Sequence, residues 1–190
     1  TVSYFDLACI CKDIYSWIQK RCLVVILCEN ELGALASYIS CIQNRVVPIL
    51  LDAKIDKGLL HNIIEVYKPD YVICKDSCHD DLGKNIYSFC LDVCPYKVVK
   101  TQYTNAYKLH DDLALLLSTS GSTGSPKFVR LSYKNLRSNT TSIIEYLKIT
   151  SSDVAITSLP MNYTYGLSVI NTHLEAGASL VLTNSSLMQK

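Results

Sequence analysis

Six hydroxyl side chains, two glycines, a proline and a lysine crowd into one short stretch, Ser118-Thr119-Ser120-Gly121-Ser122-Thr123-Gly124-Ser125-Pro126-Lys127. Small hydroxyls, backbone N–H groups left accessible at glycine and one ammonium make a cradle for a phosphate chain. Thr119, Ser120, Gly121, Ser122, Thr123, Gly124 and Lys127 are therefore the candidate ligands. The spacing is not that of a Walker loop, G-x-x-x-x-G-K-[ST], because Pro126 precedes Lys127 and Phe128 follows it. Nor does a G-x-G-x-x-G turn open a helix, so a Rossmann dinucleotide site has no support. His61, His79, His110 and His173 have no acid–base partner in sequence, so no residue is assigned a catalytic role. The cysteine spacings Cys9-x-Cys11, Cys74-x3-Cys78 and Cys90-x3-Cys94 do not make the Cys-x2-Cys knuckles of a zinc site, and no metal ligand is assigned.

A loop of this kind needs rigid elements to present it. The apolar run at 113–117 reads as a buried strand entering the loop, and 127–131 as a second strand leaving it, so the loop joins a hairpin. Upstream, helical spacing at 3–20 is followed by a strand at 23–27. A helix opened by Glu29 or Asn30 then runs to Gln43, with Leu32, Leu35, Ala36, Ile39 and Ile42 inward. A strand at 46–51, a helix at 56–68 stopped by Pro69, and a strand at 71–74 complete the first half. Nearly all-apolar strands alternating with helices predict right-handed β-α-β units and a parallel sheet covered on both faces. Residues 75–112 read as a connection across the surface, with short strands at 86–91 and 96–103. Ser132 is placed to cap a helix to about Leu147. A strand at 154–159, a loop at 161–166, a helix at 167–175 stopped by Gly177 and a strand at 180–182 follow. The fold class is α/β, with parallel-rich sheets covered by helices.

With 190 residues, 49% hydrophobic and 18% charged, the chain has the composition of one well-buried globular domain. A net charge of +1 gives no electrostatic reason for a nucleic-acid or acidic-membrane partner. No apolar run reaches bilayer-spanning length, so no transmembrane segment is expected. Cys9, Cys22, Cys28, Cys41, Cys74 and Cys90 sit in apolar or strand-like contexts, where reduced cysteine acts as a small hydrophobe. That usage predicts a soluble protein of a reducing cytoplasm. The opening residues lack a basic leader and begin in mid-pattern, as if cut from something longer.

The run from Thr119 to Lys127 closely resembles the phosphate-binding loop of the adenylate-forming superfamily: acyl- and aryl-CoA synthetases, luciferases and nonribosomal-peptide adenylation domains. Leu131-Ser132-Tyr133-Lys134-Asn135-Leu136 resembles that family's next helix start, with Tyr133 where histidine is common. Leu159-Pro160-Met161-Asn162-Tyr163-Thr164-Tyr165-Gly166 resembles its following motif, with Asn162 and Tyr163 replacing an aromatic-His pair. In the family this segment borders the carboxylate pocket, which makes Tyr163, Tyr165 and Gly166 candidates for lining or gating it. The competing reading makes the two tyrosines packing residues of an apolar wall.

The resemblance implies that a small carboxylic acid attacks the α-phosphorus of ATP, with Mg²⁺ sharing the phosphate charge. Pyrophosphate leaves and an acyl-adenylate forms. A thiol, from coenzyme A or the phosphopantetheine of a carrier protein, then takes the acyl group. It also implies that residues 1–190 are a partial N-terminal AMP-binding domain. The later adenine, ribose and magnesium motifs and a C-terminal lobe with its lysine are not found in this sequence. Two other readings remain open: a truncated, non-catalytic nucleotide-binding or protein-interaction module, and an unrelated ATPase that would release ADP.

Overall fold

A strand such as Leu23-Val24-Val25-Ile26-Leu27 has no polar side to show to water, so the sheet that contains it must be covered on both faces. The computed structural model describes residues 1–75, 85–91, 94–104, 106–118 and 127–185, with the backbone alone at 85–91, 94 and 95. In chain order the first elements are α1 (Tyr4–Ile18), β1 (Leu23–Cys28), α2 (Leu32–Gln43), β2 (Val47–Asp52), α3 (Lys57–Tyr67) and β3 (Tyr71–Lys75). Next come β4 (Asn85–Leu91), β5 (Cys94–Lys100), β6 (Leu113–Ser118), β7 (Phe128–Ser132) and α4 (Tyr133–Leu147). The described elements end with β8 (Val154–Thr157), α5 (Thr164–Glu175) and β9 (Ser179–Leu182).

Seven strands form one sheet in the order β4-β5-β3-β1-β2-β6-β7. Its centre, β3-β1-β2-β6, is parallel, and antiparallel strands flank it at each end. Side chains alternate across this centre. Val24, Ile26, Leu50, Tyr71 and Ile73 face a core shared with α1, α2 and α5, while Val25, Leu27, Ile49, Val72 and Cys74 face α3. Burial of each such Leu, Ile or Val contributes about 1.5–3 kcal/mol.

Side chains cap the starts of α1, α3 and α4. Ser3 and Asp6 form a reciprocal capping box on α1, with Asp6 N donating to Ser3 Oγ at 3.1 Å and Ser3 N donating to Asp6 Oδ2 at 3.0 Å. The hydrogen bonds from Ser3, its hydroxyl first, hold the Asp6 carboxyl below the usual range. Ser132 caps α4 as expected, with Asn135 returning the bond.

The expected parallel-rich α/β sheet is present, and the strands at its two ends are antiparallel. Several other expectations need correction. Residues 75–112 are more than a surface connection: β4 and β5 form a hairpin on β3, and Tyr96, Val98 and Val99 are buried. Helix α2 begins at Leu32, and its buried set is Gly33, Ala34, Leu35, Ala36, Ser37, Tyr38, Ser40 and Cys41; Leu32, Ile39 and Ile42 are only partly covered. The reason is α1, which crosses α2 on the side that the apolar stripe left polar. Ser40 Oγ there donates to Cys11 O at 2.7 Å, and Cys11 Sγ to Ala36 O at 3.4 Å. Cys9 is exposed, against expectation, while Cys11, Cys22, Cys28, Cys41 and Cys74 are buried and none of these is in a disulfide. The thiols of Cys78, Cys90 and Cys94 lie outside the described side chains.

Strand β8 ends at Thr157, and α5 starts at Thr164, so Thr164, Tyr165 and Gly166 belong to the helix's first turn rather than to a loop. That turn lies hard against the chain before it. A Cβ on Gly166 would meet Pro160 O at 2.3 Å and Leu159 O at 2.8 Å, so only glycine fits. Gly177, at φ +69°, follows the end of α5 and leads into β9.

Gly166→Ala is expected to cost about 1–3 kcal/mol of unfolding free energy, read by urea titration, because the backbone must give way. Burial pushes the Cys11 thiol up to about 11 and the Cys22 thiol up to about 12. Iodoacetamide at pH 8 should therefore modify Cys9 at least about tenfold faster than Cys11, Cys22, Cys28, Cys41 or Cys74, as read by peptide mass mapping; equal rates would contradict the buried positions.

Candidate functional site

Because β1, β2, β3 and β6 run parallel, their C-terminal residues Cys28, Asp52, Lys75 and Ser118 reach the same edge of the sheet. In open α/β sheets that edge is where ligands bind. The glycine-rich segment leaves from it. Strands β6 and β7 form the expected antiparallel hairpin, and their last described pair is Ser118 with Phe128. Lys127 is exposed immediately before β7. Thr119, Ser120, Gly121, Ser122, Thr123 and Gly124 lie outside the described residues. What is placed is the support on either side of them. The Phe128 ring and the Tyr67 ring on α3 make a T-shaped contact, with centroids 4.9 Å apart and planes at 90°.

The other end of the hairpin is tied by two arginines. Arg21 Nη2 donates to the carbonyls of His110 at 2.6 Å and Leu113 at 2.9 Å, and Arg45 Nη2 to that of Asp111 at 2.9 Å. The Arg45 guanidinium also lies over the Tyr133 ring, 4.8 Å from its centroid. The start of β6 and the start of α4 are thus held together.

The second segment singled out in sequence reaches the same edge by a different route. Asn30, two residues beyond β1 and 8% exposed, sends its side chain into the turn after β8. Asn30 Nδ2 donates to Thr157 O at 2.7 Å, Leu159 O at 3.0 Å and Thr183 O at 3.0 Å, and Oδ1 accepts from Met161 N at 3.0 Å. Helical spacing alone marks Asn30 or Glu29 as the opener of α2 and gives no sign of these contacts. The signal lies in chemistry rather than periodicity: an uncharged amide, able both to donate and to accept, between the two carboxylates Glu29 and Glu31.

Beyond this turn, Tyr163 is 57% exposed at the N-cap of α5 and Tyr165 is 63% exposed in its first turn. Within the described chain they are therefore not packing residues of an apolar wall. Gly166 is buried against the Leu159 and Pro160 carbonyls. A cleft of about 580 Å³ runs between α4 and α5, lined by Leu117 from the end of β6 and by Asn135, Asn139, Thr164, Ser168 and Asn171. These polar groups are uncharged. A second cleft, of about 610 Å³, takes much of its lining from the C-terminal turns of α2 and α5, toward the strands' N-terminal ends.

The chain reverses direction across the sheet between β1 and β3, the switch point where such folds often bind ligands. Here that place holds an ion cluster: Lys75 Nζ lies 2.8 Å from Glu31 Oε1 and 3.3 Å from Glu29 Oε2. The Glu31 hydrogen bond, with help from Glu29 and against the opposing pull of burial, keeps the Lys75 ammonium above the usual lysine range. Among the described residues no three His, Cys, Asp or Glu side chains group to hold a metal ion. His110 Nδ1 receives Asp112 N at 3.2 Å, and His173 Nδ1 lies 2.8 Å from Val169 O, both local structural contacts; His79 lies outside the described residues.

The chain resembles known enzymes in both sequence and fold. It is 25% identical over 169 residues to 2-succinylbenzoate–CoA ligase of Bacillus velezensis, covering 88% of this chain and 35% of that protein. Apo MatB from Rhodopseudomonas palustris superposes with a TM-score of 0.77 at 24% identity, over 97% of this chain and 40% of that one. O-succinylbenzoate coenzyme A synthetase (MenE) from Bacillus subtilis, solved in complex with ATP and magnesium ion, gives a TM-score of 0.73 at 21% identity, over 99% of this chain and 52% of that one. This chain thus spans about half the length of these proteins or less. The family model for AMP-binding enzymes matches residues 16–190, and the chain belongs to that family of adenylate-forming enzymes.

Proposed function

We propose that residues 1–190 supply a partial N-terminal AMP-binding domain of an ATP-dependent carboxylate ligase, which makes an acyl-adenylate and pyrophosphate. The observation that supports this is the β6–β7 hairpin, whose strands stop at Ser118 and resume at Phe128 at the C-terminal edge of the parallel strands, on either side of the hydroxyl-, glycine- and lysine-rich stretch of the sequence. Thr119, Ser120, Gly121, Ser122, Thr123 and Gly124 would donate backbone and hydroxyl hydrogen bonds to the β- and γ-phosphates of ATP, and Lys127 would neutralise charge there. An exposed lysine at the loop end of β7 suits an anionic ligand. Mg²⁺ enters as the companion of the triphosphate and shares its charge. The related synthetase bound to ATP and magnesium supports this choice.

Tyr163, Tyr165 and Gly166 would border a small carboxylic acid, the glycine by letting the first turn of α5 lie against the preceding chain. The acyl group would then pass to a thiol, either coenzyme A, as the name of the CoA ligase that the chain resembles suggests, or carrier-protein phosphopantetheine. Among the described residues no helix is long and apolar enough to cross a membrane, and the buried thiols suit a reducing cytoplasm. Taken alone, residues 1–190 hold the triphosphate grip and one border of the acid pocket, so the isolated chain is expected to show no ATP–pyrophosphate exchange.

The reading is tested on the longest natural polypeptide containing this chain, with a panel of carboxylic acids assayed by pyrophosphate release. Acid-dependent release of AMP and pyrophosphate is expected, and release of ADP and phosphate would overturn it. In the same assay Lys127→Ala and Gly124→Val should each lower kcat/KM by about 10²-fold or more through loss of phosphate stabilisation. Full activity in both would show that the loop does not grip ATP.

A further inference from the structure

From the hydrogen bonds at the end of β1 we infer that Asn30 is a positioning residue for the acid-binding segment, acting through the backbone of residues 157–161. An amide carries two N–H donors and a carbonyl acceptor on one plane. Asn30 uses all of them: its Nδ2 faces the carbonyls of Thr157, Leu159 and Thr183 at 2.7–3.0 Å, and its Oδ1 takes Met161 N at 3.0 Å. Its own backbone N–H donates to Asn184 Oδ1 at 2.7 Å. One buried side chain thus gathers the end of β8, the turn before α5 and the residue after β9 at the end of β1.

The effect reaches α5 by contact. Gly166 has no room for a Cβ against Pro160 O and Leu159 O, so the first turn of the helix must follow the backbone that Asn30 holds. Tyr163 N also donates to Pro160 O at 3.1 Å. A shift of the 159–161 backbone therefore moves Tyr163 and Tyr165 together. Neither aspartate nor leucine would serve. Aspartate would turn a carboxylate oxygen toward three carbonyl oxygens, and leucine would leave those carbonyls and Met161 N without partners. The expected consequence is selective: the acid's place shifts, while the β6–β7 hairpin, held by Arg21, Arg45 and Tyr67, does not.

This inference rests on the carboxylate-ligase reading for its activity arm but not for its structural arm. Asn30→Asp and the milder Asn30→Ser are made in the full natural polypeptide, beside Ile26→Val in the buried part of β1 as a control for lost stability. In the Asn30 variants the KM for the acid should rise at least about tenfold while the KM for ATP stays within about twofold, Ser being less affected than Asp. Hydrogen exchange at Met161 N should quicken at least about tenfold in both, with the amides of β6 unchanged. Asn30→Ser decides if Asn30→Asp does not fold. Unchanged Met161 exchange overturns the inference. So does an equal rise in both KM values, or an acid KM raised as much by Ile26→Val. If the unmodified protein activates no acid, the ligase reading falls on that result alone, and Met161 exchange decides whether Asn30 holds the segment.

Discussion

The constraint on which this structure depends is that its four parallel strands have no wet face. Every residue of β1 is buried, and β2 is buried up to Leu51. Side chains within the strands can therefore do little except pack, and polar work is displaced to the strand ends, where the backbone ladder stops and unpaired groups need partners. Parallel direction then places the C-terminal ends together. Asn30, the Glu29–Glu31–Lys75 cluster and the loop end of the β6–β7 hairpin share one edge because β1, β3 and β6 run the same way.

On that edge the two candidate segments are supported differently. The hairpin is braced at its root by guanidinium groups reaching backbone carbonyls, and near its tip by the Tyr67–Phe128 ring contact. Arginine suits the first task, since a planar fork with several donors can serve several carbonyls at once. The segment at 157–161 is braced by an amide, which can both donate and accept. A phosphate-gripping segment gains from a fixed root, because loop groups that must converge on one anion lose affinity when their supports move. A pocket border gains from a fixed backbone for the same reason.

Much of this was legible in sequence where the pattern was strong and local. The all-apolar β1, the Asp56-capped α3 before Pro69, the β6–β7 hairpin and the Ser132 cap carry their signals within a few residues. What was not legible depends on distant chain. The buried face of α2 is decided by α1, which no periodicity within α2 records. Strand β5 shows only Tyr96, Val98 and Val99 of apolar character around Lys97, and its place beside β3 comes from pairing. The start of α5 came early because Tyr163-Thr164-Tyr165-Gly166 looks like a turn, yet the glycine is there for close approach rather than for chain reversal. Asn30 is the plainest case: its five hydrogen bonds join residues 127 to 154 positions away.

The β8-α5-β9 unit shows why a polar anchor is needed at all. Two parallel strands are a weak sheet by themselves, and the outward side chains Val154, Ile156 and Val181 are exposed. Apolar packing of Leu167 and Ile170 draws the unit onto the main core, but such packing is non-directional and tolerates sliding. Hydrogen bonds do not tolerate it. Tyr4 Oη reaches Ala178 O at 2.7 Å and Tyr38 Oη reaches Asn171 Oδ1 at 3.0 Å, on elements that also line the larger cleft. Asn30 fixes the other end, where β8 and β9 finish. With directional contacts at both ends and apolar contact between, the unit has one register against the sheet. The exposed tyrosines of α5 inherit that register from a residue more than a hundred positions earlier in the chain.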